Sequence, residues 1–200
     1  MFPNSLERLI ESFKKLPGVG QKSAERMAFS ILNNFDEDDY KEFCESLEDV
    51  SKKIKPCSVC NVITDEEKCY ICSDKTRKSD SLIVVENSKD VFLLEHMGNF
   101  DGLYHVLGGF ISPFDDIGPD DINLKSLFDR IEKQKVKEVI FVTRSCVEAD
   151  TTILYVKRKL QGNDVVISKI ANGVPVGADM EYIDSLTLKS ALNNRKEVLD

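Results

Sequence analysis

The sequence predicts an α+β, multidomain chain: a helical N-terminal region, a small four-cysteine module, and a C-terminal α/β domain with a mainly parallel sheet. Three observations predict it. Apolar residues recur at helical spacing from Leu6 to Ile54, four cysteines fall in two C-x-x-C pairs eight residues apart, and short apolar runs alternate with helical patterns from residue 81 onward. At 200 residues, 31% charged and 42% hydrophobic, the chain can bury one large core or two small ones, and neither disorder nor a membrane-embedded chain fits. The opening Met1-Phe-Pro-Asn-Ser5 lacks a basic stretch followed by an apolar run, and no later run approaches a membrane span, so a cytoplasmic, reducing location is expected.

Leu6, Leu9, Ile10 and Phe13 recur at i, i+3, i+4 and i+7, marking an amphipathic helix. It stops at Leu16-Pro-Gly-Val-Gly20, where a proline and two glycines permit a tight turn with exposed backbone N–H groups. A second helix starts near Gln21 with Ala24, Met27, Ala28 and Ile31 as its apolar stripe, and Lys22 and Arg26 project together from the opposite face. A glycine hairpin feeding a helix N-terminus attracts an anion through its unpaired N–H groups and the helix dipole. Gly18, Gly20, Lys22 and Arg26 are therefore candidates to grip a nucleic-acid backbone without reading bases. The unit resembles the helix-hairpin-helix motif of DNA repair proteins; an ordinary turn between two helices with solvated basic residues would use the same amino acids. A third helix carries Tyr40, Phe43, Cys44, Leu47, Val50 and Ile54 at helical spacing, so Cys44 is expected in the core.

The net charge of −8 works against a generally basic, nucleic-acid-coating protein, but a local footprint survives. Arg8, Lys14, Lys15, Lys22 and Arg26 face only Glu7, Glu11 and Glu25 near the start, and Lys75, Arg77 and Lys78 follow the last paired cysteine. The acidic excess begins at Asp36-Glu-Asp-Asp39 and resumes beyond residue 80. A nucleic-acid surface is thus expected on the first two helices, with the C-terminal part offering carboxylates to something else.

Cys57-Ser-Val-Cys60 and Cys69-Tyr-Ile-Cys72 bring four soft thiolates onto two tight knuckles, as a tetrahedral Zn²⁺ site requires. Two reduced or disulfide-linked pairs would be the alternative, and that arrangement suits secreted scaffolds. With all four positions supplied by protein, the ion's role is structural, and binding of this kind is typically worth about 10–16 kcal/mol and is coupled to folding. Residues 57–72 are expected to act as a pinned joint between different architectures. Cys146, outside the knuckles, reads as a free thiol.

Leu82–Val85, Leu103–Leu107, Val139–Val142 and Val165–Ile170 read as buried strands. Between them lie a helix capped by Ser88 and running to Gly98, one marked by Leu124, Leu127, Phe128 and Ile131, and one marked by Ile153, Val156 and Leu160. Ligands of parallel sheets gather at the carboxyl ends of the strands, where Glu86, Glu148 and Asp150 fall. Three carboxylates meeting there would call for Mg²⁺, a basic partner or raised pKa values; solvated loop acids are the plainer account. His96 and His105, the two histidines, read as structural.

Leu16–Phe29 with its hairpin, the four paired cysteines, Val84-Val-Glu86, Tyr104-His-Val-Leu-Gly108, Ile111-Ser-Pro113, Asp116-Ile-Gly-Pro-Asp-Asp-Ile122 and Gly173-Val-Pro-Val-Gly177 together resemble the RecR family of bacterial recombination mediators, in the family's order and over nearly the whole chain. The resemblance implies a helix-hairpin-helix region at 1–56, a zinc module at 57–80, a Toprim domain at 81–172 and a C-terminal oligomerisation segment at 173–200. It implies a non-enzymatic DNA-binding clamp, a ring-shaped homotetramer that works with RecO and RecF to load RecA onto gapped or single-stranded DNA. By position it assigns DNA contacts to Lys22 and Arg26, zinc to Cys57, Cys60, Cys69 and Cys72, and RecO contacts to the Toprim acids Glu86, Glu148 and Asp150. Two departures matter. Arg144-Ser-Cys-Val-Glu-Ala-Asp-Thr-Thr152 places a cation beside the acids, which argues against a bound Mg²⁺, and Asn172 stands where a basic residue is frequent. A Mg²⁺-dependent Toprim nuclease or topoisomerase-like enzyme is the competing reading, but it would need a nucleophile from a larger frame than this chain supplies.

Overall fold

A computed structural model describes residues 2–171 and 173–195, and the chain divides into two compact units, 1–54 and 55–200. Asn172 lies outside the described residues.

The first unit is helical: α1 (Asn4–Lys14), α2 (Gln21–Asn34) and α3 (Glu37–Lys53). The apolar stripes of α1 and α2 meet, burying Ile10, Ala24 and Ala28 with Leu6, Leu9, Phe13 and Val19 packed around them, while Met27, expected in the same stripe, is 36% exposed. Small side chains at Ala24 and Ala28 let the two helices approach closely. A capping box opens α3: Asp36 accepts from the backbone of Asp38 and Asp39 at 3.0 and 2.9 Å, and Asp39 accepts from Asp36 N–H at 3.1 Å. Three acidic residues in its first turn suit the helix dipole, so part of the acidic run serves the fold.

The third helix overturns one expectation. None of its residues is buried: Leu47 and Val50 are 60% and 63% exposed, and Cys44 is exposed rather than in a core. Periodicity correctly gives α3 an apolar face, and its start is held by edge-on contacts of Phe35 with Tyr40 and Phe43 and by the Tyr40 hydroxyl donating to Ile31 O.

The second unit opens with a two-stranded antiparallel ribbon, β1 (Lys55–Pro56) and β2 (Ile63–Thr64), followed by the single turn α4 (Tyr70–Ser73). A four-stranded, wholly parallel sheet follows, built from β3 (Ser81–Val85), β4 (Leu103–Val106), β5 (Glu138–Phe141) and β6 (Val166–Lys169) in the order β4-β3-β5-β6. The crossover helices are α5 (Ser88–Met97), α6 (Leu124–Gln134) and α7 (Val147–Lys159). Leu82, Val84 and Val85 are fully buried, which is why β3 reads as an unbroken apolar run. Asn87, not Ser88, caps α5, accepting from Lys89 N–H at 3.1 Å; the Ser88 hydroxyl instead accepts from Ile63 N–H of the cysteine module at 3.0 Å.

That module is not a free-standing joint. Cys57, Cys60, Val62, Cys69 and Ile71 belong to the same buried cluster as the sheet strands, and Val106 N–H of β4 donates to Cys60 O at 2.8 Å. Beyond the sheet, a 3₁₀ turn (Met180–Tyr182) and α8 (Ser185–Asn193), capped by Asp184, bury no residue; Tyr182 and Leu186 are exposed.

Candidate functional site

The knuckle at Cys57–Cys60 is closed by Asn61, whose φ of 63° lets the chain turn back so that Cys57 N–H donates to Val62 O at 2.8 Å. The second knuckle is the start of α4, where Cys69 occupies the N-cap and its sulfur accepts from Cys72 N–H. Cys69 N–H reaches across to Cys57 Sγ at 3.3 Å. The four Sγ atoms lie within 4.8 Å of one another, and all four cysteines are free. Four sulfurs about 2.3 Å from a tetrahedral zinc sit about 3.8 Å apart, so little rearrangement would admit the ion. Three of the four are buried, and their ionisation is interlocked: hydrogen bonds to Cys69 and Cys72, together with burial, push Cys60 far up, while hydrogen bonds from Cys60 and Cys72 pull Cys69 down to about 2. Buried sulfurs that must share protons to coexist are the donor set a divalent cation relieves.

At the hairpin, Gly18 adopts φ 78°, a left-handed turn that a side chain would strain, and Val19 N–H closes on Leu16 O at 3.1 Å. Gly20 is the N-cap of α2, where no side chain caps the helix and no acid lies in the first turn. Lys22 and Arg26 are exposed, and among the described residues neither has an ion-pair partner; the nearby Glu25 instead accepts from Gln21 at 2.6 Å. Two of the three cations in the other basic run, Arg77 and Lys78, are spent internally. Arg77 forks onto Glu95 at 2.9 and 2.5 Å and donates to Gly102 O, and Lys78 pairs with Asp101 at 2.6 Å.

Glu86 follows β3 and Arg144 follows β5, the neighbouring strands on either side of the point where the chain reverses its order through the sheet. Arg144 donates to Glu86 from two nitrogens, at 3.1 and 3.4 Å. Glu148 and Asp150 lie in the first turn of α7, and Asp150 accepts from Lys169, at the end of β6, at 2.5 Å. The expectation of three repelling carboxylates needs correcting: two have cationic partners, and among the described residues the cysteines are the only group of three or more potential ligands close enough to share a metal. Lys169 escaped the sequence reading because it comes from a fourth strand, although in a parallel sheet every strand end reaches that same edge. His105 is fully buried with Nε2 against Asn123 O at 2.9 Å, and His96 is exposed on α5.

Three helices with a glycine hairpin, a four-sulfur cluster that fits a metal ion and a parallel sheet with acids at its switch point define a helical, four-cysteine and α/β protein. Family profiles match in that order: the RecR helix-hairpin-helix over residues 6–50, the RecR zinc finger domain of four cysteines over 54–74, the Toprim domain over 80–171 and the RecR C-terminal region over 173–196. A recombination protein RecR of Staphylococcus saprophyticus is 43% identical over 197 residues, covering 98% of this chain and 99% of that one. The chain belongs to the RecR family.

Proposed function

We propose that the protein is a non-enzymatic, sequence-independent DNA clamp acting in recombinational repair, and that it works with RecO and RecF to help load RecA onto gapped or single-stranded DNA. The observation that carries the DNA contact is the hairpin: unpaired Lys22 and Arg26 stand beside an uncapped helix N-terminus. Gly18 and Gly20 bring backbone close to a phosphate, and the two cations neutralise its neighbours. The proposed regions are 1–56 for DNA, 57–80 for structural zinc, 81–172 for partners and 173–200 for assembly, with Lys55 and Pro56 paired into the zinc module's ribbon.

Cys57, Cys60, Cys69 and Cys72 would hold one zinc, which supplies cross-linking rather than reactivity because no protein position is left open. Glu86, Glu148 and Asp150 are proposed to face RecO. The ion pairs of Glu86 with Arg144 and of Asp150 with Lys169 favour a polar docking edge over Mg²⁺ chemistry, because a metal would have to displace both cations. The uncovered faces of α3 and α8 support assembly with further copies of the chain as a ring-shaped homotetramer. Among the described residues no helix is long and apolar enough to cross a membrane, and a cytoplasmic site of action fits the unpaired thiols.

Replacing Lys22 and Arg26 with Ala should weaken binding to gapped DNA of any sequence and make the slope of log affinity against log salt shallower by about one per lost phosphate contact. An unchanged slope would remove the hairpin from the interface. Turnover of supercoiled or nicked DNA with Mg²⁺ would overturn the non-enzymatic reading.

A further inference from the structure

We propose that Arg130 is the outer-sphere counter-charge of the four-cysteine metal centre and the side chain that fastens that centre to the sheet. The proposal rests on the metal reading of the cysteines.

Arg130 lies at the border of the apolar stripe of α6 and is only 4% exposed. Every arm of its guanidinium is engaged. Nε donates to Gln134 Oε1 at 2.9 Å on its own helix, Nη1 donates to the carbonyl of Tyr104 on β4, and Nη2 points at Cys72 Sγ, 3.8 Å away. Among the described residues no carboxylate lies within ion-pair distance of it. A buried guanidinium stays protonated and requires negative charge nearby. The sulfur is the one anionic candidate it touches, and a neutral thiol would not serve. Four thiolates around a divalent cation leave a doubly negative centre, which does.

The position of the contact adds to the argument. Cys72 is the least buried of the four ligands, so the N–H···S bond covers the sulfur that chelators and oxidants reach first. A hydrogen bond from a cation stabilises the thiolate against protonation and oxidation and offsets the negative charge of the four-sulfur centre, which keeps the ligand set intact. Through one residue, α4, β4 and α6 share an interest in the ion being present. Lysine could carry the charge, but it could not fork between a carbonyl, a side-chain amide and a sulfur at once.

Full-length protein loaded with one Zn²⁺ or Co²⁺ tests this by competition with a chromophoric chelator and by the sulfur-to-cobalt charge-transfer absorption. Arg130→Gln should lower metal affinity about 10- to 100-fold, speed zinc release and move the charge-transfer band, as loss of an outer-sphere partner does. Arg130→Lys keeps the charge and should stay within about threefold of wild type, as should Gln134→Ala, which leaves the sulfur contact in place. Wild-type protein that takes up no metal would refute the metal reading itself. Wild-type protein that loads fully while Arg130→Gln keeps the same affinity and spectrum would refute the role of Arg130 alone. Equal losses in Arg130→Gln and Arg130→Lys would assign the effect to packing and overturn the charge argument. Should Arg130→Gln not fold, the cobalt charge-transfer band of Arg130→Lys decides: retained affinity with a shifted band supports the sulfur contact, and an unchanged band or a tenfold or larger loss of affinity defeats the proposal.

Discussion

The two units of the chain treat charge and apolar surface in opposite ways. In residues 55–200 the key cations are met internally: Arg77 by Glu95, Lys78 by Asp101, Arg144 by Glu86, Lys169 by Asp150, and Arg130 by a carbonyl and a sulfur. Its apolar runs close over one continuous core that includes three of the paired cysteines. In residues 1–54 the core is a patch between two helices, Lys22 and Arg26 have no ion-pair partner among the described residues, and α3 shows its apolar face to solvent. Its ion pairs, Lys14–Glu11, Lys52–Glu48 and Lys53–Asp49, are one-turn surface pairs that contribute little. Free charge and uncovered apolar surface thus coincide in the first unit, whereas the second leaves α8 uncovered but matches its key cations internally.

The largest test removes the metal. Because the knuckles share the sheet's core, Cys69→Ser or exhaustive chelation should withdraw most of a contribution of about 10–16 kcal/mol and expose β3 and β4 along with the module. Amide hydrogen exchange should show protection lost across those strands and retained on α1 and α2. Protection of β3 that survives metal removal would separate the cysteine module from the sheet.

Next come paired leucines. Leu127 is fully buried on α6, so Leu127→Ala should cost about 2–5 kcal/mol in denaturant melts. Leu47→Ala, on the exposed face of α3, should change the stability of a single chain by less than about 0.5 kcal/mol. If α3 joins copies of the chain, Leu47→Glu should instead lower the mass measured in solution. A large loss of single-chain stability in Leu47→Ala would mean that α3 is covered within its own chain.

The second unit also contains a pH-dependent element. Burial holds His105 down to about 4, since charging it would put a cation in the core beside Arg130. The unfolded chain therefore binds the proton more readily, and stability falls as pH drops from about 6.5 to about 4, by about 3 kcal/mol in total. His105→Gln should flatten that portion of the profile; an identical profile would place the acid sensitivity elsewhere.

What could be read from the sequence followed from how local the cause was. The knuckles and the hairpin are fixed by spacings of a few residues, and a strand buried on both faces, such as Leu82–Val85, announces itself as an unbroken apolar run. The exposure of α3 was hidden because periodicity states that a helix has an apolar face and is silent on what covers it. The pairings of Lys169 with Asp150 and Arg77 with Glu95 join residues 19 and 18 apart in the chain, so they depend on sheet register and crossover packing. Asn87 displaced Ser88 as a cap because the serine hydroxyl was already engaged by Ile63.

The smallest effect, and the sharpest comparison, comes from two arginines. Arg77→Ala strands Glu95, whose side chain is only 14% exposed, and removes a two-pronged ion pair, so it should destabilise the second unit by about 2 kcal/mol. Arg26→Ala removes no hydrogen bond or ion pair among the described residues and should leave the melting midpoint in denaturant unchanged within error, about 0.5 kcal/mol, while DNA affinity and its salt slope fall. The two changes delete the same side chain, at Arg77 where it is 15% exposed and its charge is matched, and at Arg26 where it is exposed and among the described residues has no ion-pair partner. If Arg26→Ala destabilised the fold and left DNA binding untouched, its charge would belong to the chain after all, and the contrast between the units would collapse.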